Sequence, residues 1–387
     1  MGFEKLGASQ LTDLIQAVFP RLPQDKRLAI LVDLPSDSTE DKKVWQQRRA
    51  FAVQLRDMLH VARETLRLEE VWLNAYANVG TNNGDLPDYF YGIEAELPQY
   101  AHELAAHGHP ISAQTLFDEA QLFLAPTQYS TTAPLKIAAR THGFRAATMP
   151  GFSASMLPAL QVDYREIARR LQIIKQKLDV AEAAHIFFLV NNTASYFFKL
   201  DLRYRTAHLS AGRFPEAGMV GNLPSGETYI VPYEGERDVV SQTQGDLPVQ
   251  FGQEIVLYHV EKNRAREAYG EGRAARMENE QLKNEPAYGN IAELGFGVLA
   301  DFGVMPVGEI LLDEKLGLHI AFGRSDHFGG FVGAGQFSSP RELVHIDRIY
   351  IPQTQPAILV SSVRLQYKDG REEEIMRDGA YTLFSPA

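Results

Sequence analysis

Residues 28–33 read Leu-Ala-Ile-Leu-Val-Asp and end in Leu34-Pro35, an apolar run of strand length. After it, Trp45–Arg67 is polar with recurring apolar positions, the pattern of an amphipathic helix, and Val71–Ala77 is a second strand. The alternation continues with a short helix over Ala101–Ala106 closed by Gly108, then a strand over Ala120–Ala125. A helix opened by Pro134 runs to Arg140, and a strand follows over Arg145–Met149. Tyr164–Val180 places Ile167, Leu171, Ile174 and Leu178 on one helix face. Strands separated by helices imply a mainly parallel sheet covered by helices.

Beyond about Ala184 the texture changes. Segments shorten, β-formers and glycine become denser, and strands are expected at Ile186–Val190, Ser195–Tyr204, Thr228–Val231, Glu254–Val260, Leu318–Phe322, Val344–Ile351 and Ala357–Leu365. Glu261–Glu285 carries six basic and six acidic residues and reads as a solvated helix. The expected fold class is therefore α/β with two domains. Residues 1–184 form an N-terminal, mainly parallel, helix-covered sheet, and residues 185–387 a C-terminal mixed α/β domain.

Composition narrows the function. The 387 residues include no cysteine, which excludes disulfides, thiolate zinc sites, iron–sulfur clusters and a cysteine nucleophile. Any metal must be held by His, Asp and Glu. A net charge of −11 argues against a nucleic-acid partner, which needs a basic footprint. No apolar run approaches the roughly 20 residues that span a membrane, and the first ten residues lack a signal-peptide core. The expectation is a soluble, cytoplasmic protein. Gly330–Gly335 has its glycines in the wrong order for a dinucleotide fingerprint, and His107-Gly108-His109 reads as a surface turn.

The second half holds a scattered set of ionisable residues. His345 and Asp347 are two apart in an apolar stretch, so in a strand both side chains meet on one face. His319 sits in the apolar run Leu316–Phe322, where an imidazole needs a partner or a metal. Glu227 follows the turn Pro224-Ser225-Gly226 at the start of a strand. Glu293 lies between apolar neighbours before Gly295, either as a ligand or as a helix-surface residue with a glycine cap. Asp313 and Glu314 complete the set. Singly, each has a plain structural reading. Together, three carboxylates and two histidines suit two divalent cations of the Zn, Co or Mn type and a bridging hydroxide. His319, His345 and Asp347 alone match the two-His, one-carboxylate triad of non-haem Fe(II) oxygenases.

At these residues the chain resembles the M29 metallo-aminopeptidases, whose fold also hosts the 2,5-dihydroxypyridine dioxygenases. The resemblance rests on Leu200–Arg203, Gly221-Asn222-Leu223-Pro224-Ser225-Gly226-Glu227, Asn290–Gly295, Asp313-Glu314-Lys315, His319–Gly323, Phe328-Gly329-Gly330 and His345-Ile346-Asp347. It covers roughly residues 185–355, with Ala147–Gly151 as the clearest match in the first half. It implies a two-metal centre held by Glu227, Glu293, His319, His345 and Asp347. Glu293 or Glu314 would act as proton shuttle in cleaving the N-terminal residue from a peptide. It also implies a homodimer with the site facing a cavity between the domains, the Thr81–Pro87 loop being one candidate lining. The family's tyrosine falls at the place held here by Asp326, beside His327. The dioxygenase branch implies one Fe(II) and a histidine near the Glu293 position. A metal-binding homologue without peptidase activity is the third expectation.

Overall fold

The computed structural model describes residues 6–339 and 341–384. The chain forms two compact units. One runs up to Ala168 and adds Gly212–Ser225; the other takes Arg169–Ala211 and everything from Gly226 onward.

The first unit is built on a seven-stranded sheet. Its strands are Arg27–Leu34 (β1), Glu70–Ala77 (β2), Tyr89–Gly92 (β3), His109–Ser112 (β4), Leu122–Ala125 (β5), Arg145–Thr148 (β6) and, later in the chain, Val220–Asn222 (β10). Their order is β10-β6-β5-β1-β2-β3-β4. From β10 to β2 all pairing is parallel, and the β2–β3 and β3–β4 pairings are antiparallel. Leu28 to Val32 of β1 are fully buried, as a central parallel strand requires. Five of the eight α-helices among the described residues lie in this unit, Ala8–Val18 (α1), Lys43–Leu66 (α2), Leu104–His107 (α3), Ala113–Glu119 (α4) and Thr132–His142 (α5), and a sixth, Tyr164–Leu178 (α6), starts in it and continues into the second. In α6, Ile167, Leu171, Ile174 and Leu178 are all fully buried, as their spacing predicts. The helix α5 ends at Gly143, whose φ of 74° is the left-handed cap that glycine adopts without strain. Buried Asp33 accepts the backbone N–H groups of Gln128 and Tyr129 and the indole N–H of Trp45. It thereby ties the end of β1 to the loop after β5, and burial pushes its carboxyl up to about 6.

The second unit has two antiparallel sheets. The larger, in the order β14-β13-β12-β8-β7-β18-β19-β20, contains Ala181–Val190 (β7), Ala194–Asp201 (β8), Gln244–Phe251 (β12), Glu254–Glu261 (β13), Arg264–Tyr269 (β14), Ile358–Tyr367 (β18), Glu372–Arg377 (β19) and Ala380–Tyr381 (β20). The smaller, in the order β17-β16-β15-β11-β9, contains His208–Ser210 (β9), Glu227–Ile230 (β11), Ile291–Gly297 (β15), Leu318–Gly323 (β16) and His345–Ile349 (β17). Two helices complete the unit, Arg273–Asn284 (α7) and Ile310–Asp313 (α8). One face of the smaller sheet packs on the larger: Phe322 meets Tyr258, Tyr350 meets Phe188, and the Arg348 guanidinium lies over Phe251. The opposite face carries the ionisable residues.

Two expectations need correction. Glu261–Glu285 is not one helix: its first part is β14, paired with β13, and only Arg273–Asn284 is helical. The segment around Glu293 is a strand buried at every position rather than a capped helix. No helix among the described residues is long and apolar enough to cross a membrane.

Candidate metal centre

The smaller sheet places its ionisable residues by register. Directly opposed residues of antiparallel strands share a face, as do residues two apart on one strand. Tyr229, Gly295, His319 and Ile349 form one row across β11, β15, β16 and β17, and Glu293, Ala321 and Asp347 form another. Glu227 precedes Tyr229 by two on β11, and His345 precedes Asp347 by two on β17. All five residues expected to hold metal therefore stand on one face. The structure brings them into two overlapping groups, Glu227–Glu293–His319 and Glu293–His345–Asp347, each offering ligand atoms within 4.8 Å of one another.

Glu293 belongs to both groups, one oxygen to each. Its Oε1 lies 3.3 Å from His319 Nε2 and its Oε2 lies 3.4 Å from His345 Nε2. Glu227 Oε2 is 3.5 Å from His319 Nε2, and Asp347 Oδ1 is 3.6 Å from His345 Nε2. The other imidazole nitrogens face carbonyls: His319 Nδ1 the oxygen of Gly317 at 3.2 Å, and His345 Nδ1 that of Arg324 at 2.8 Å. Nδ1–H donation fixes the tautomer that turns the Nε2 lone pair toward the carboxylates.

Lone pair then faces anion, so a cation must sit between them, a proton or a metal ion. For protons, burial disfavours the charged imidazole. The carboxylates outweigh it, pushing His319 up to about 9 and raising His345 well above its usual value. For a metal, distances of 3.3–3.6 Å are long for hydrogen bonds. They match the ~3.4 Å edge of a tetrahedron whose metal–ligand bonds are about 2.1 Å. Glu227 Oε2 is buried with no hydrogen-bond partner, an atom that a metal ion would satisfy. The donor set of oxygen and nitrogen without sulfur suits divalent first-row ions.

The space for these groups comes from glycine. A Cβ on Gly295 would lie 1.9 Å from His319 Nε2, and one on Gly297 would meet the Lys315 backbone at 2.2 Å. Gly295→Ala is therefore expected to push the imidazole off its position. The loss should be about 1–3 kcal/mol of stability, with the Glu227–Glu293–His319 position emptied. Thermal unfolding and metal content measured on the same sample check both.

Two residues sit beside the groups. Buried Lys315 donates to Glu227 Oε1 at 2.5 Å and also to Glu314. Sequence alone marks no role for Lys315, because its burial shows only in the fold. Burial pushes the Glu314 carboxyl up to about 8, although the Lys315 charge opposes this, and the Glu227 and Asp347 charges add to the rise. Asp313 is elsewhere occupied, accepting the N–H groups of Val307 and Gly308. Asp326 pairs with Arg324 and stands outside both groups. The His327 ring is 5.3 Å from that of His345, and burial lowers its pKa to about 4. His107 and His109 lie on α3 and β4 in the first unit, where they join no ligand group. A pocket of about 750 Å³ in that unit is lined by α2 and β2 to β4, and none of Glu227, Glu293, Asp313, Glu314, His319, His345 and Asp347 borders it.

The likeness to solved structures is one of fold, and it spans the whole chain. The 2,5-dihydroxypyridine dioxygenase from Pseudomonas putida KT2440 superposes with a TM-score of 0.62 at 14% identity, covering 100% of this chain and 99% of that one. Wild-type AmpT from Thermus thermophilus superposes with a TM-score of 0.55, also at 14% identity, covering 99% of this chain and 100% of that one. No protein-family model matches the chain, and no curated protein matches it either.

Proposed function

We propose that this protein is a two-metal hydrolase that cleaves the N-terminal residue from peptides. The observation that supports it best is the shared carboxylate. Glu293 offers one oxygen to each of two three-residue groups, an arrangement suited to two ions rather than one. Two divalent ions, when bound, supply an activated water and polarise a carbonyl. Glu227 and His319 would hold one of them and His345 and Asp347 the other, with Glu293 between.

Because both Glu293 oxygens face ligand partners, the proton-carrying role falls to Glu314. Its carboxyl, pushed up to about 8, exchanges a proton near neutral pH, which suits a general acid–base. It would take the proton of the attacking water and return it to the departing amine. Lys315, between Glu314 and Glu227, holds both carboxylates in place.

The alternative is a one-iron dioxygenase using His319, His345 and Asp347, which the Pseudomonas structure's fold likeness keeps in view. Against it, the chain has Glu293 where that branch carries a histidine. Elemental analysis of chelator-free, anaerobically purified protein separates the two. Two Zn, Co or Mn ions per chain with release of free amino acids from a dipeptide panel is the expected outcome. One iron per chain with oxygen uptake on a dihydroxylated pyridine overturns it.

A further inference from the structure

We propose that Tyr229 is a catalytic residue of this site, its phenol O–H donating to the substrate carbonyl oxygen as that oxygen becomes negative. The inference rests on the hydrolytic reading above.

Tyr229 is two residues from Glu227 on β11 and directly opposite Gly295, which is itself opposite His319. Its side chain therefore shares the ligand face. Only a glycine separates it from the imidazole that leans over that glycine. The ring is clamped: it stacks on His208, its cross-strand partner, at 5.2 Å and 22°, and takes Phe328 edge-on at 4.8 Å. Phe328 in turn meets His345 at 5.3 Å.

The hydroxyl is the part left over. It makes no hydrogen bond to any described residue, although the residue is half-buried and its ring is fixed. A phenol, with an ordinary pKa of about 10, is a protonated donor at neutral pH. A donor held rigid, unspent and beside the reacting centre is the kind of group that stabilises a developing oxyanion. Asp326, which pairs with Arg324, supplies no such O–H.

The step balances without a further reactant. The water oxygen bonds to the scissile carbon, the carbonyl π pair moves to oxygen, and the Tyr229 O–H donates to that oxygen without giving up its proton. When the π bond re-forms, the C–N bond breaks and the amine leaves with a proton from the water.

The test compares the full-length wild type with Tyr229→Phe, each loaded with zinc and checked for metal content. The probes are a dipeptide substrate, the free N-terminal amino acid, and a phosphinic dipeptide whose tetrahedral oxygen imitates the oxyanion. Tyr229→Phe is expected to keep its metal, its KM and its affinity for the amino acid. It should lose about 10²-fold in kcat and a similar factor in calorimetric affinity for the phosphinate. A variant within about twofold of wild type on both counts overturns the Tyr229 role while leaving the hydrolytic reading intact. A wild type that neither cleaves peptide nor binds phosphinate overturns the hydrolytic reading, and the Tyr229 role falls with it.

Discussion

Glu293→Ala is expected to empty both metal positions at once, whereas Glu227→Ala and Asp347→Ala each empty one. Glu293 is the only residue common to the two ligand groups, and each of its oxygens faces a different imidazole. Removing it leaves Glu227–His319 and His345–Asp347 as two-residue remnants, too few protein ligands for a tight site. The effect should show in stability as well as content. A metal at a hundred times its dissociation constant adds about 2.7 kcal/mol to folding stability. Wild-type unfolding should therefore shift upward with added metal, the Glu227 and Asp347 variants should shift less, and the Glu293 variant should not shift. Two ions retained per chain in Glu293→Ala would remove the basis of the two-metal assignment.

Lys315→Met should be the most destabilising single change near the site. Lys315 and Glu227 are both almost wholly buried, with side chains 2% and 8% exposed. Taking one partner from a buried ion pair strands the other, at a cost of about 3–5 kcal/mol. Here Glu227 would be stranded beside Glu293, while Glu314, already pushed up to about 8, would take up a proton. Denaturant unfolding of the metal-free protein measures the loss. Adding Glu227→Gln to Lys315→Met should restore part of it, because the stranded charge is gone. A loss below about 1 kcal/mol for Lys315→Met alone would show that water already reaches the pair.

In the first half of the chain the elements that are long and uniform in period were legible in the sequence, whereas the helices Ala8–Val18 and Ala113–Glu119 were not. LAILVD became a fully buried strand, and the i, i+3/i+4 face of α6 became core. Missed were Tyr89–Gly92 and His109–Ser112, four-residue strands with no apolar run of their own. They pair with β2 and with each other, and that tertiary pairing decides their state. The site residues were legible as types and spacings: His345 and Asp347 converge by strand period alone. Their convergence with Glu227, Glu293 and His319 was carried by resemblance, since the register joining β11, β15, β16 and β17 spans more than a hundred residues of sequence. Lys315 and Tyr229 escaped notice because a lysine beside a glutamate and a tyrosine in a strand look ordinary until burial and opposing residues are known.

One irregularity of the smaller sheet has a wider bearing. Between Ile291 and Glu293 the pairing of β15 with β16 shifts by one residue: Ile291 opposes Phe322 and Glu293 opposes Ala321, leaving Ala292 as a bulge. Were all three residues regularly paired, with no bulge, Ile291 and Glu293 would share a face. With it, Ile291 lies on the face of Phe322, packed on the larger sheet, while Glu293 looks the other way, toward the histidines. The bulge thus lets a ligand and a core residue stand two apart on one strand and still face opposite ways. Deleting Ala292 would straighten the strand and still leave Ile291 opposite Phe322 and Glu293 opposite Ala321, because neighbouring residues of a regular strand face opposite ways. An alternation count along the sequence would set Ile291 beside Glu293 on the ligand side, and only the pairing shows that it faces the core.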